Sequence, residues 1–293
     1  MAISSNTYLL LNGNYHSRSS TMFHISNRAF AFGDSVVEYV HTCADRLCFI
    51  DRHLQHLRDA MAAAAMDIPR KFYNREGEFA TEISKLITKN RIFYGSLVTI
   101  VVFRSKFVPL TTKPDVIEYV IYCEPLDELG YRLNDIGLRL GLIDGMAFSA
   151  SLMSNFFTHD NSIDRLVIYK KCLAANIDDA LIVNTEGHIV ETAGNGNIFF
   201  VKGNTLFTPP LASGCKDDVI RRIILEVVAP EMGLTPVCDR PLHINDLKHI
   251  DEMFTASTLY GIQWVAAYKT QRFMRAKTTA IINKISELYK AQQ

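Results

Sequence analysis

Residues 178 to 210, "DDALIVNTEGHIVETAGNGNIFFVKGNTLFTPP", alternate short apolar runs with turn signals at Glu186-Gly187, Gly194 to Gly196 and Gly203-Asn204. Glycine and asparagine reach the backbone angles of tight turns at little cost, whereas Val, Ile and Phe favour a pleated, half-buried surface. Turns this close together leave no length for a helix, so the second half of the chain is expected to be β-rich. A helix should follow from about Asp218 through Val228, with Asp217 or Asp218 as its N-cap. "DEMFTASTLYGIQWVAAY" returns to strand, and "AIINKISELYKA" closes the chain as an amphipathic helix with Ile281, Ile285 and Leu288 on one face.

The first half mixes both periodicities. "TYLLLNG" reads as a strand, "NGNY" as a hairpin turn, and a helical segment is expected near Val36 to Val40. Leu54, Leu57, Met61 and Ala64 recur at helical spacing, with Pro69 ending the run. A further helix covers about Glu78 to Thr88, followed by "SLVTIVVFRS" as a central strand and "VIEYVIYCEP" as another. The acidic stretch around 124–132 is the expected connector, which divides the chain into an N-terminal domain, 1–123, and a C-terminal domain, 133–293. The fold class is α+β in two parts.

Composition narrows the function classes. Lys plus Arg and Asp plus Glu number 31 each, so there is no general attraction to nucleic acid or to an anionic membrane surface. The N-terminal segment lacks the pattern of a signal peptide, and no apolar stretch approaches membrane-spanning length. The six cysteines are dispersed without a C-x-x-C pair, as expected of reduced, mostly buried thiols in a cytoplasmic protein. Cys43 and Cys48 have no following ligand pair, so no metal site is expected.

Three stretches resemble the class IV pyridoxal-phosphate aminotransferases, which include branched-chain aminotransferases, D-amino-acid aminotransferases and aminodeoxychorismate lyases. They are "ISNRAFAFGDSVVEYVHTCADRLCFIDRHLQHL", "NIDDALIVNTEGHIVETAGNGNIFFVKGNTLFTPPL" and "DEMFTASTLYGIQWV", in the family's order and spanning most of the chain. The resemblance implies a two-domain fold type IV architecture, with an N-terminal α/β domain and a C-terminal pseudobarrel. It also implies a homodimer with a small-molecule pocket between the domains.

Pyridoxal-phosphate chemistry needs a lysine amine to hold the cofactor as a Schiff base and then carry protons. It also needs a carboxylate at the pyridine nitrogen, and donors for the phosphate. Glu191 matches the carboxylate. Counting back by the family's spacing puts Thr158 at the lysine position, with Asn161 as the accompanying asparagine, and no lysine occurs between Lys113 and Lys170. His56 stands where the family has a phosphate-binding arginine, and Asp218, Val219, Ile220 and Arg221 align with its Gly-Ile-Thr-Arg phosphate element. An aspartate there repels phosphate, and Ile220 removes a hydroxyl. Thr258 does match a phosphate-contacting threonine. Arg28, Arg104 and Tyr260 are further pocket candidates, and Lys216 lies in the altered loop, where a surface lysine is the commoner case.

These departures fall on cofactor-contacting positions, so the expectation is of a fold without its ordinary cofactor and with no pyridoxal phosphate required. Three readings stay open. In the first, the emptied cleft binds or transforms another small molecule, with His159, Asp160, Glu191 and His56 as acid/base groups. The second is a non-catalytic dimeric binding or regulatory protein. The third is an active aminotransferase or aminodeoxychorismate lyase with a displaced lysine, Lys216.

Overall fold

Two units make up the chain: one comprises Met1–Gly130, Phe157–Asp160 and Tyr289–Gln293, the other Tyr131–Phe156 and Asn161–Leu288. The structure is a computed structural model that describes residues 7–19, 23–25, 27–73, 77–105, 116–126, 131–159, 162–194 and 196–292.

In the first unit, strands β1 (Tyr8–Leu11), β2 (Asn14–Ser17), β3 (Ser35–Cys43), β4 (Arg46–Leu47), β5 (Ser96–Arg104) and β6 (Ile117–Pro125) form one sheet in the order β2-β1-β6-β5-β3-β4. β5 lies between β3 and β6 with antiparallel partners on both sides, in keeping with its unbroken apolar run. The short helix α1 (Arg28–Phe32) precedes β3, with Asn27 capping it through the N–H groups of Ala29 and Phe30.

β3 corrects the expectation of a helix near Val36 to Val40. All but one of its nine residues are buried, so the strand has covered faces on both sides and shows no apolar–polar alternation. Periodicity cannot separate such a strand from a buried helix. The stiff, β-branched Val36, Val37, Val40 and Thr42 decide in favour of strand. A two-residue strand from later in the chain, Phe157–Thr158, adds to the edge of β3, with Thr158 opposite Val36 and Phe157 opposite Val37.

Helix α2 (Ile50–Ala63) buries Leu54, Leu57 and Met61 as the spacing predicts, and stops well before Pro69 with Ala65 at φ +52°. Helix α3 (Glu78–Lys89) buries Phe79, Ile83, Leu86 and Ile87. Phe79 meets Phe72 and Tyr119 edge-on, ring centroids 4.9 and 5.9 Å apart.

The second unit carries a 9-stranded sheet. Its strands are β7 (Leu138–Phe148), then, counting Phe157–Thr158 as β8, β9 (Asp179–Asn184), β10 (Ile189–Thr192), β11 (Asn197–Lys202), β12 (Thr205–Phe207), β13 (Thr235–Val237), β14 (Glu252–Ser257), β15 (Gly261–Tyr268) and β16 (Gln271–Arg272). The order is β10-β9-β7-β15-β14-β11-β12-β13, with β16 on β15. β7 pairs in parallel with both β9 and β15, which brings the sequence-distant turns of this half to one sheet. Leu140, Leu181, Ile198, Phe200, Met253 and Val265 form its main core. Helix α4 (Ser162–Ala174) leads into β9, with Lys170 and Lys171 exposed. Helix α5 (Val219–Ile223) runs on as a π-helical turn, Ile224–Val228, and a last α turn, α6 (Ala229–Glu231).

The α+β class and the two-sheet architecture expected from the sequence are present. Of the expected connector, Glu124 and Pro125 belong to β6, and 127–130 lie outside the described residues. No helix among the described residues is long and apolar enough to cross a membrane.

The closing helix, α7 (Ala276–Lys290), is fastened to β14 by Glu252, which is 4% exposed. Its carboxylate accepts from Lys277 N and Thr278 N at 2.8 Å each, and from Thr278 Oγ1 at 2.8 Å. A carboxylate at a helix start meets unsatisfied N–H groups and the positive end of the dipole. Glu252→Ala should therefore lower unfolding stability by about 2 kcal/mol or more, read from the urea midpoint at unchanged slope. An unchanged midpoint would show that α7 does not depend on this carboxylate.

Candidate functional site

Glu191 ends up buried because β10 is an interior run whose four residues are all covered. The turn after it needs Gly196: its φ is +84°, and an added Cβ would lie 3.0 Å from the Ser257 Cβ. The Glu191 side chain, 2% exposed, is clamped by Arg165 of α4, whose Nη2 donates to Oε1. Arg165 Nη1 also donates to Thr192 O and Ala193 O, 3.2 Å each. The other carboxylate oxygen accepts from the backbone N–H of Lys216 at 3.3 Å.

The loop that carries Lys216 is tied to residues 154–156 from several directions. Asn155 Nδ2 donates to Leu211 O at 3.0 Å and Cys215 O at 2.6 Å, while Asp217 N donates to Asn155 O at 2.9 Å. Lys216 Nζ donates to Ser154 O and Phe156 O, both at 2.8 Å. Far from being a surface residue, Lys216 is 3% exposed. Burial pushes its amine down to about 8, with Arg165 reinforcing the shift and Glu191 and Cys215 opposing it.

Asp218 caps α5, its Oδ1 accepting from Ile220 N at 3.0 Å. The same carboxylate takes the Thr258 N–H on Oδ2 at 2.8 Å and the Thr258 hydroxyl on Oδ1 at 2.5 Å. Asp218, Ile220 and Thr258 thus come together, and their donors converge on a side chain of the protein itself. Val219 is buried beside them. Asp217 is held by Arg222 at 2.6 Å.

His56 belongs to the first unit. It lies in a buried trio in which Glu38 accepts from His53 Nδ1 at 2.5 Å and His56 Nδ1 at 2.6 Å. Burial alone would raise the Glu38 carboxyl, but the charge and hydrogen bonds of the two histidines prevail and hold it below its usual value. Arg28 and Arg104 both bind Asp34, at 2.5 and 2.7 Å, as structural ion pairs. Tyr260 is exposed.

The first unit also holds a cavity of about 420 Å³, walled by Phe23, Ile25, Phe30, Val101, Phe103 and Tyr122 and edged by His159. His159 Nδ1 is 2.8 Å from Ser35 Oγ, and burial holds its imidazole below the ordinary value, which favours the neutral ring. Thr158, the residue before it, is half-buried on the edge of β3. Asp160 and Asn161 lie outside the described residues.

Sequence reasoning missed Arg165, Glu38, Asn155 and Ser35, and misjudged the exposure of Lys216. No local sequence signal marks the burial of Lys216, which comes from the main-chain carbonyls of Ser154 and Phe156.

The amino-transferase class IV family pattern matches residues 35–268. Arabidopsis thaliana branched-chain-amino-acid aminotransferase-like protein 2 is 24% identical over 261 residues, 88% of this chain. The chain spans only 45% of that relative's length. Two solved structures share the fold. Escherichia coli branched-chain amino acid aminotransferase has TM-score 0.84 at 19% identity, covering 98% of this chain and 96% of that one. The Thermobaculum terrenum branched-chain amino acid aminotransferase, in its PLP form, has TM-score 0.83 at 18% identity, covering 99% and 96%. This corrects the expectation that no cofactor is required: the family and its holo-form neighbour point to pyridoxal phosphate.

The Arg165–Glu191 pair yields a direct prediction. Arg165→Met leaves a buried carboxylate with the Lys216 N–H as its remaining described donor, and should cost about 2 kcal/mol or more of stability. Urea unfolding measures it, and a midpoint equal to the parent's would contradict the assignment of this pair.

Proposed function

Since the chain belongs to the amino-transferase class IV family, we propose that it is a pyridoxal-phosphate enzyme that handles the amino group of a small amino acid. In this reading the lysine position is lost, with Thr158 in its place, and the phosphate-binding groups expected at His56, and separately at Asp218 and Ile220, are replaced. The observation that carries the reading is the buried Glu191 carboxylate, paired with the Arg165 guanidinium. A carboxylate oxygen has two lone pairs, so Glu191 keeps acceptor capacity for a protonated ring nitrogen.

The residues fit pyridoxal phosphate unequally. At the ring nitrogen Glu191 fits. At the aldehyde end a buried amine, Lys216, is available. At the phosphate end the donors of Ile220 and Thr258 already serve Asp218, so a phosphate has to displace that carboxylate or find other partners. When bound, the cofactor supplies an electron sink for the carbon carrying the amino group. The chain's own residues then hold the ring through Glu191, fix that carboxylate through Arg165, and use a side-chain amine to carry a proton.

The apolar lining of the cavity in the first unit suits an apolar side chain. The branched-chain names of the relatives agree with that substrate class. A homodimer, the division into 1–123, 124–132 and 133–293, and a cytoplasmic setting complete the proposal.

Titration of the purified protein with pyridoxal phosphate, followed by visible circular dichroism, tests this reading. A saturable induced band is expected, weakened about tenfold or more in affinity by Glu191→Ala. Added branched or aliphatic amino acids should then change the band faster than aspartate does. No saturable band at any concentration would overturn the proposal.

A further inference from the structure

Helix α4 (Ser162–Ala174) is apolar on two opposite sides. Its inner side is fixed. Ile168 and Cys172 are buried in a cluster with Ala180, Ile182 and Val190, and Arg165 reaches from that side to Glu191. At 3.6 residues per turn, Ile163, Leu166, Val167, Lys170 and Leu173 fall on the opposite side as one stripe. The apolar members of that stripe are exposed, Ile163 to 71% and Leu173 to 61%, and so is Tyr169 beside them. A surface helix ordinarily turns its charged residues outward, and one that is apolar all round is covered on both sides.

The charges on α4 identify the cover. Asp164 and Lys171 lie on one flank of the stripe, about two turns apart. They are too distant to meet within the helix, where partners sit three or four residues away. A second α4 can lie antiparallel across the stripe, related by a two-fold axis normal to both helices. Residues equally far from that axis then face each other, and each flank meets the same flank of the other copy. An axis at Ile168 sets Ile163 against the partner's Leu173, and Leu166 against the stem of the partner's Lys170. The same axis, to within about half a residue, sets Asp164 against the partner's Lys171. The apolar and the charged matches thus require one register, and each occurs twice.

We propose that the outer stripe of α4 is the docking surface for α4 of a second copy of this chain, antiparallel about Ile168, with Asp164 of each copy against the partner's Lys171. The inference rests on the homodimer of the proposed function, whose face it names, and not on the cofactor reading. It also bears on the site. Arg165 holds Glu191 from the inner side of this helix and donates to Thr192 O and Ala193 O. Burying the outer side in the pair fixes the helix that carries that guanidinium.

The test is sedimentation velocity of the full chain over a range of concentrations. Wild type should be a dimer. Asp164→Lys alone, or Lys171→Asp alone, sets like charges together twice per dimer and should raise the dimer dissociation constant about tenfold or more. Asp164→Lys combined with Lys171→Asp restores opposite charges and should return it to within about threefold of wild type. Ile163→Arg with Leu166→Arg should give monomer. These side chains are exposed, and the thermal transition of each variant checks that it is folded.

A monomeric wild type would overturn both this inference and the homodimer. A dimer indifferent to Ile163→Arg with Leu166→Arg leaves the homodimer standing and sinks this face. Single charge variants that weaken the dimer without recovery in the double variant sink the antiparallel register. An α4-dependent dimer with no saturable pyridoxal-phosphate band upholds the inference and sinks the cofactor reading alone.

Discussion

A lysine amine loses hydration when it is buried, and the loop around Lys216 is organised by that constraint. Two main-chain carbonyls accept from Nζ, the Lys216 N–H goes to Glu191, and Asn155 bridges the two sides of the loop. Unpartnered polar groups are costly in an interior, so these bonds form as a set or not at all. The set in turn fixes Glu191, which needs Arg165 opposite it, and Arg165 fastens the start of α4 to the turn after β10. Removing the lysine head group would therefore disturb more than one contact.

Buried acids recur across both units, each partnered by groups supplied by the chain. Glu38 takes two histidines, Glu191 an arginine and an amide, Asp218 two amides and a hydroxyl, and Glu252 the start of α7. Such carboxylates are tolerated because charge-assisted hydrogen bonds offset desolvation. Asp218 differs from the rest in its consequence. It occupies from within the Ile220 and Thr258 donors.

Much of this was legible in the sequence. The turn-punctuated run from 178 to 210 announced the β-rich half, and the spacing of Leu54, Leu57 and Met61 announced α2. β3 was not legible as a strand, because burial on both faces erases the alternation that identifies one. Of the site, Glu191, Asp218 and Thr258 could be placed through the resemblance to the family. Arg165 and the burial of Lys216 could not, since both depend on pairing between segments far apart in the chain, and a loop lysine carries no local mark of the carbonyls that will enclose it. The expectation of no cofactor rested on departures at Thr158, His56, Asp218 and Ile220, against which the family match points to pyridoxal phosphate.

The most direct measurement is a crystal structure of the wild-type protein soaked with pyridoxal phosphate and reduced before freezing. The account predicts electron density for a pyridine ring whose nitrogen lies against Glu191. A ring bound elsewhere, or no bound ring, would contradict it.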